Sequence, residues 1–518
     1  MICLVPLYCF GYIFFDKNIS PINDAAKIHT YYFSVNGSDK NDGSVEHPFK
    51  TIAYLNGIRL VPGDSVFFKS GEIFNGNLLL TGSGTKERPV VITSYGDANA
   101  VISGGNGTAI DLSDLSYVNI KNITCKGSGR KDGNTKPGIS ISNCSNVSIE
   151  NTDISGFQKS GLQIYSCNNI TIDKVYAHDN GAAGIGVEGD FKSKLTTRNI
   201  FITNCTAENN PGDPSNLTNH SGNGIVTGHC TNVIIDHCMA TNNGWDMPRI
   251  GNGPVGIWCY EADSVIIQHC LSYRNKTSAG AADGGGFDFD GGVTNSIIQY
   301  CLSYENQGSG YCMFQYWGAS PWYNNVIRYN ISENDGLVSD SRAGAYVWNS
   351  SKDEKQFHGC DFYNNTIYNS KQAALSFSVT SERKDFRFFN NIFIAKDSLI
   401  KGKKGNDVFL ANDWWSLEKK FNADGMNDFA NWITSSNIEQ VNGNIKGLNL
   451  LPPFKSADNA TITNVSQLND FYNYKISGYS PVTQSGIDLQ ALFNINTGDK
   501  DFNGQLIDRK FIGACTHP

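Results

Sequence analysis

The sequence predicts an all-β chain wound as a single parallel β-helix, a solenoid whose short strands stack coil upon coil. Three observations carry this. First, a glycine followed by apolar–x–apolar recurs: GISIS from Gly138, GLQIY from Gly161, GIGVE from Gly184, GIVTG from Gly224, GIWCY from Gly256, GFDFD from Gly286, GYCMF from Gly310, GAYVW from Gly344 and, less cleanly, ALSFS from Ala374. Second, the starts differ by 23, 23, 40, 32, 30, 24, 34 and 30 residues. A basal coil with loops inserted into some turns gives such a series. Third, a second apolar strand follows each first one: VSIEN, ITIDK, IFITN, VIIDH, VIIQH, IIQYC, VIRYN. Period-two runs this short, separated by Asn-rich turns, belong to sheet and not to helix.

The elements follow in order. Residues 2–15, ICLVPLYCFGYIFF, are apolar and stop at Asp16 and Lys17. The length fits the apolar core of a secretory signal, although no Lys or Arg precedes it, and Asn23 to Ala26 offers a small-residue cleavage site. Residues 1–26 are therefore expected to be a signal peptide, and the protein to be secreted, extracellular or periplasmic; the competing reading is a buried N-terminal strand. Residues 27–108 are expected to form an N-terminal cap and the first coils, and 109–403 the helix core with its loop insertions. After about residue 403 the repeat fades, so 404–518 is read as last irregular coils and a cap, which the unpaired end of a solenoid requires. Trp414 and Trp415 fall there, with buried packing as their expected role.

Composition narrows the function. Net charge is −8 and the pI about 5.6, which argues against a nucleic-acid backbone as partner. No apolar run reaches the roughly 18 residues of a membrane span. A monomer is expected. Of the 14 Cys, Cys205, Cys238, Cys270 and Cys301 occupy one position of successive second strands, and Cys144, Cys167 and Cys230 follow first strands. No CxxC spacing occurs, so zinc and redox chemistry are not expected. Disulfides would fit a secreted chain, but equivalent positions on stacked coils need not have bonding geometry, and packed thiols, small apolar groups filling the interior, are the preferred reading.

Two stretches near the ends carry a family resemblance: YYFSVNGSDKNDGSVEHPFKTIAYLNG with PGDSVFFKSGEIFNG early, and YSPVTQSGID with DFNGQLIDRKFIGA late. They resemble the secreted right-handed parallel β-helix enzymes that act on polysaccharides, the broad pectate-lyase-like group. The likeness spans most of residues 31–518. It implies right-handed winding and a carbohydrate substrate, and leaves the sugar unspecified.

Aligning coils on their glycine puts the second and fourth following residues outward. The first column is Ser140, Gln163, Gly186, Val226, Trp258, Asp288, Cys312, Tyr346 and Ser376; the other is Ser142, Tyr165, Glu188, Gly228, Tyr260, Asp290, Phe314, Trp348 and Ser378. Coils stack roughly 4.8 Å apart, so Trp258, Tyr260, Asp288, Asp290, Tyr346 and Trp348 share one face. A one-residue shift at GYCMF would expose Tyr311, Met313 and Gln315 instead. Glu261 falls near Asp290, and His229 two coils below. The long loops 190–222, 240–254, 273–284 and 329–343 bring His220, Arg249, Lys276, Asp283, Asp335, Asp340 and Arg342 to the same side. Long loops beside a rigid scaffold form binding clefts.

An exposed row of Trp and Tyr around carboxylates suits sugar rings, with the acids as proton donor, base or nucleophile. The expected catalytic set is Asp288 and Asp290, with Glu261 or Asp283 as third acid. The expected substrate contacts are Trp258, Tyr260, His229, Glu188, Tyr346, Trp348, Arg342, Arg249, Lys276 and Gln315. The resemblance offers one test. Related lyases that use a lysine base carry it on a strand of the form GFxxK, and here Asp290 stands at that lysine's place. The hydrolase branch's NTDG, DD and GHG motifs are absent as well. A glycoside hydrolase needing no cofactor is the favoured expectation. The alternatives are a lyase or uronate epimerase with the Asp cluster on calcium and Lys276 or Arg342 as base, and a non-catalytic carbohydrate-binding β-helix.

Overall fold

The structure is a computed structural model describing residues 27–192, 196–338, 342–351, 353–378, 382–396, 398–507 and 510–516. The expected signal peptide and Asp340 lie outside the described residues. Twelve strands, from Leu78–Leu79 to Ile400–Lys401, stack in parallel as one face of a solenoid. A 25-stranded parallel sheet supplies the rest of each coil wall. This is the right-handed parallel β-helix. Six successive strands of the first face carry the site: β1 (Ala183–Glu188), β2 (Asn223–Gly228), β3 (Val255–Tyr260), β4 (Gly285–Phe289), β5 (Tyr311–Gln315) and β6 (Ala343–Asn349).

The interior is built from stacked equivalents. Phe287 and Tyr311 lie face to face, ring centroids 5.3 Å apart and planes 5° from parallel. The cysteines among the described residues are buried free thiols, and several act as acceptors as well as filler. Cys238 donates its backbone N–H to Cys270 Sγ, and Cys270 to Cys301 Sγ. The column continues as Asn330, Asn365, Asn391 and Asn412, each bonding its lower neighbour's N–H through Oδ1, and ends on Glu439. A second such ladder runs through Asn180, Asn210, Asn243, Asn275 and Asn306 and ends on Asp335. Buried backbone N–H groups at the bends need acceptors, which is what the Asn-rich turns supply. Asp335, taken from sequence for a loop charge beside the cleft, is instead fully buried as the last rung.

The coils continue to Asp413–Ser416, where Trp414 packs edge-on to Trp432 of the helix Phe429–Ser436. The chain beyond about residue 450 runs back along the outside of the helix. Tyr474 donates to Glu333 at 2.6 Å and Arg328 to Asn496 O at 2.8 Å.

Candidate active-site cleft

The strand register places the outward columns as the glycine alignment has them. Val226, Trp258, Asp288, Cys312 and Tyr346 stand directly over one another, as do Phe314 and Trp348. Phe287, Phe289, Tyr311 and Met313 fill the core, so the shifted register for β5 does not occur. The face is not the open row the sequence predicts, however. Trp258 is 3% and Asp288 2% exposed, because the loops around Asn219–His220, Asn252 and Ala282–Asp283 fold over them. What remains open is a cleft of about 670 Å³, within the usual size of small-molecule sites.

Aromatic side chains form its walls: Trp258 and Tyr260 on one side, Phe314, Tyr316, Tyr346 and Trp348 on the other, with Phe191 and His229 at one end. Trp258 and Tyr260 lie near parallel, 5.4 Å apart. Phe314 meets Tyr346 and Trp348 edge-on at 5.4 and 5.9 Å. Gly228, under Tyr260, has no room for a side chain: a Cβ would come 2.5 Å from the ring.

Three acids meet at β4. Asp290 lines the cleft; its backbone N–H donates to Cys259 O at 3.0 Å and its Oδ1 accepts from Gly291 N at 2.7 Å. Burial, with the negative charges of Asp283 and Glu261 added, pushes its carboxyl up to about 7. Asp283 also lines the cleft. Its Oδ2 accepts from Gly253 N at 2.7 Å and its Oδ1 lies 3.7 Å from Arg342 Nη1. Burial raises its pKa and Arg342 works against that rise. Asp288 points outward but sits behind this pair, with Oδ1 buried and lacking a hydrogen-bond partner. Burial first, then Asp290 and Asp283, push its pKa well above its ordinary value. It does not line the cleft.

Other expected residues fall differently. Glu261 is pinned by Ser320, whose N–H donates to Oε1 at 2.8 Å, and packs against Gly292, where a Cβ would meet it at 2.7 Å. It influences Asp290 without reaching the cleft. Glu188 accepts the Tyr260 hydroxyl on both oxygens at 2.9 Å, and burial pushes it up to about 7. It holds Tyr260 and does not itself line the space. Gln315 is fully buried, accepting from Gly292 N at 3.2 Å and donating to Ser320 O at 2.9 Å; it ties the two turns together. Arg249 donates to Asn252 O at 3.1 Å and stands outside the lining. Lys276 lies in a separate groove with Tyr273, Arg274 and Glu305, because its bend faces another side of the coil. Lys276 and Gln315 thus lie away from the cleft lining.

Sequence reasoning did not single out Phe191, Asn219, Asn252 or Tyr316, and took His220 only as a loop charge. All five line the cleft. His220 packs edge-on to Trp258 at 4.8 Å, and burial with the charge of Arg249 lowers its pKa to about 4. Its tautomer is fixed from Trp258. The indole Nε1–H donates to Asn223 Oδ1 at 3.1 Å, so the amide Nδ2 faces His220 Nδ1 at 3.0 Å and donates to it. The His220 proton therefore sits on Nε2. Only Tyr316, close behind the end of β5, carried a signal in the sequence, as one more aromatic in an aromatic run.

Comparison with known proteins agrees with this architecture. A GH136 lacto-N-biosidase from Eubacterium ramulus superposes with a TM-score of 0.50 at 17% identity, over 69% of this chain and 67% of that one. The structure of a pectate lyase, Pel9A, aligns over 95% of this chain and 96% of its own at 15% identity and a TM-score of 0.46. An uncharacterized Bacillus subtilis protein, YwoF, is 37% identical over 73 residues, which is 14% of this chain and 15% of that protein. At 17% identity the lacto-N-biosidase structure speaks to fold alone. Residues 31–342, well over half of the chain, match the Pel9A-like right-handed β-helix region, and the protein belongs to that family.

Proposed function

We propose that the protein is a carbohydrate-active enzyme that hydrolyses a glycosidic bond between neutral sugars, with Asp290 as general acid. The observation that carries this is Asp290 itself: a carboxyl on an aromatic-walled cleft that keeps its proton to about pH 7, the protonation a general acid needs at neutral pH. Asp283, held beside Arg342, is the anionic partner that activates water or attacks the sugar. Trp258, Tyr260, Tyr346 and Trp348 stack on sugar rings, and Asn219, Asn252 and His220 Nε2–H address hydroxyls. Charge supports a neutral substrate. Among the described residues, Arg342 is the cation lining the cleft, and it faces Asp283. A uronate carboxylate placed there would meet the anionic Asp283, to which Arg342 is already turned. The same charge count, and the absence of lysine from the described lining, weigh against the lyase and epimerase reading.

The test is hydrolysis of a panel of neutral and uronate-containing oligosaccharides with product analysis. New reducing ends without ultraviolet absorbance, undiminished in chelator, are expected. Products absorbing near the ultraviolet band of unsaturated uronates, or activity restored only by calcium, would favour the lyase. Binding without turnover would leave a carbohydrate-binding β-helix.

A further inference from the structure

On the 25-stranded sheet, away from the cleft, three donor atoms converge at one bend of two neighbouring coils. Asp236 Oδ1 lies 2.9 Å from His237 Nδ1 and 2.9 Å from His269 Nδ1. All three lie within 4.8 Å of one another. We propose that Asp236, His237 and His269 form a binding site for a divalent transition-metal cation of the zinc class, which clips the two coils together.

The backbone explains the placement. His237 and His269 occupy the same bend position of successive coils, with φ of 51° and 48°. His237 N–H donates to Gln268 O at 3.2 Å across the coils. The two rings are therefore held stacked, 4.8 Å apart, and Tyr300 stacks on the far side of His269 at 5.2 Å. A tetrahedral ion with bonds of about 2.0–2.2 Å holds neighbouring donors at least about 3.3 Å apart, so each Nδ1–Oδ1 pair, now at 2.9 Å, has only to open by a few tenths of an ångström to admit it. The His237, His269 and Asp236 side chains are 40%, 32% and 25% exposed, which leaves a path for the ion and a side open to water as fourth ligand.

The donor set selects the ion. Two imidazoles and one carboxylate suit zinc, nickel or copper(II). Calcium asks for six to eight oxygens, and this bend does not provide them. His178 shows what such a site is not. Its two nitrogens reach opposite carboxylates, Nδ1 to Asp179 at 2.6 Å and Nε2 to Asp153 at 3.3 Å, so its partners diverge and no point lies between three donors.

The test uses the full chain, stripped with chelator and titrated with zinc by calorimetry. Substitution at this bend is structurally mild, because Asn204 already occupies the same column one coil below with φ 54°. Wild type should bind one more equivalent of zinc than the His237→Asn/His269→Asn double variant, and each single variant should bind it at least tenfold more weakly. Zinc should raise the melting temperature of wild type and not of the double variant. His178→Asn should bind as wild type does. Equal zinc uptake and equal thermal shift in wild type and double variant would overturn the site, as would calcium binding there as tightly as zinc.

Discussion

Arg342 Nη1 stands 3.7 Å from Asp283 Oδ1, and this pair sets the charge of the cleft. Burial alone raises Asp283, and the guanidinium limits the rise. Without it the carboxyl would hold its proton to higher pH. In Arg342→Gln the acidic limb of the pH–rate profile should therefore move upward by about a pH unit, with turnover at pH 6 falling more than at pH 8. An unmoved limb would remove Asp283 as the anionic partner.

The two acids of FDFD should behave differently. Asp290 lines the cleft; Asp288 is a buried carboxyl behind it, its pKa raised by burial. Asp290→Asn should cut kcat by about 10²–10⁴, the usual contribution of a general acid, with KM little changed. Asp288→Asn replaces a buried carboxyl outside the cleft by a near-isostere and should leave kcat within tenfold. Single-turnover kinetics on both variants checks this. Equal losses would place Asp288 in the chemistry.

The basic limb follows from the same group. Asp290 titrates near 7, so activity should fall as pH rises through 7 and the proton is lost. That limb should disappear in Asp290→Asn and survive in Glu261→Gln, slightly shifted downward, because Glu261 adds negative charge near Asp290. The pH profile of kcat/KM reads it.

Much of this was legible in the sequence. The Gly–apolar–x–apolar repeat is a direct image of a coil, since one face must alternate between core and outside. It placed Trp258, Asp288, Tyr346 and Phe287 on the correct sides. The cysteine column was legible for the same reason. The roof was not. Phe191, Asn219, His220 and Asn252 sit in inserted loops without periodicity, and their loops bury the face that the strand pattern leaves open. Lys276 and Asp335 were misplaced because a residue near a loop can turn to any of three coil faces, and only the bend geometry decides. Asp335 went to the asparagine ladder, where its carboxylate satisfies Asn306. Glu188 and Glu261 were placed on the right side, but their hydrogen bonds to Tyr260 and Ser320 turn them into supports.

Stability should also depend on pH. Glu188 is raised from 4.5 to about 7, Glu439 from 4.5 to about 7 and Asp413 from 3.8 to about 8, all chiefly by burial. Each loses its proton near pH 4 when unfolded but keeps it to 7 or 8 when folded. Between those values the native state binds more protons, so stability falls as pH rises. The melting temperature should decline from pH 5 to pH 8. Glu439→Gln should flatten the decline, because a neutral amide has no proton to lose. A melting temperature rising over that interval would contradict the assignment.

Two tryptophans separate binding from packing. Trp348 is half-buried on the cleft wall, its ring edge-on to Phe314. Trp414 is fully buried, stacked on Phe393 at 4.4 Å and donating Nε1–H to Glu439 at 2.8 Å. Removing Trp348 takes away a stacking surface worth on the order of 1 kcal/mol. Trp348→Ala should raise KM about five- to tenfold and leave the melting temperature nearly unchanged. Trp414→Ala opens a core cavity and removes one of the two donors to Glu439 Oε1, leaving Asn412 Nδ2. It should cost about 3–5 kcal/mol of stability, with KM unaltered in whatever remains folded. Substrate titrations paired with thermal melts on both variants distinguish the roles, and a Trp348→Ala enzyme with unchanged KM would remove Trp348 from the sugar-binding wall.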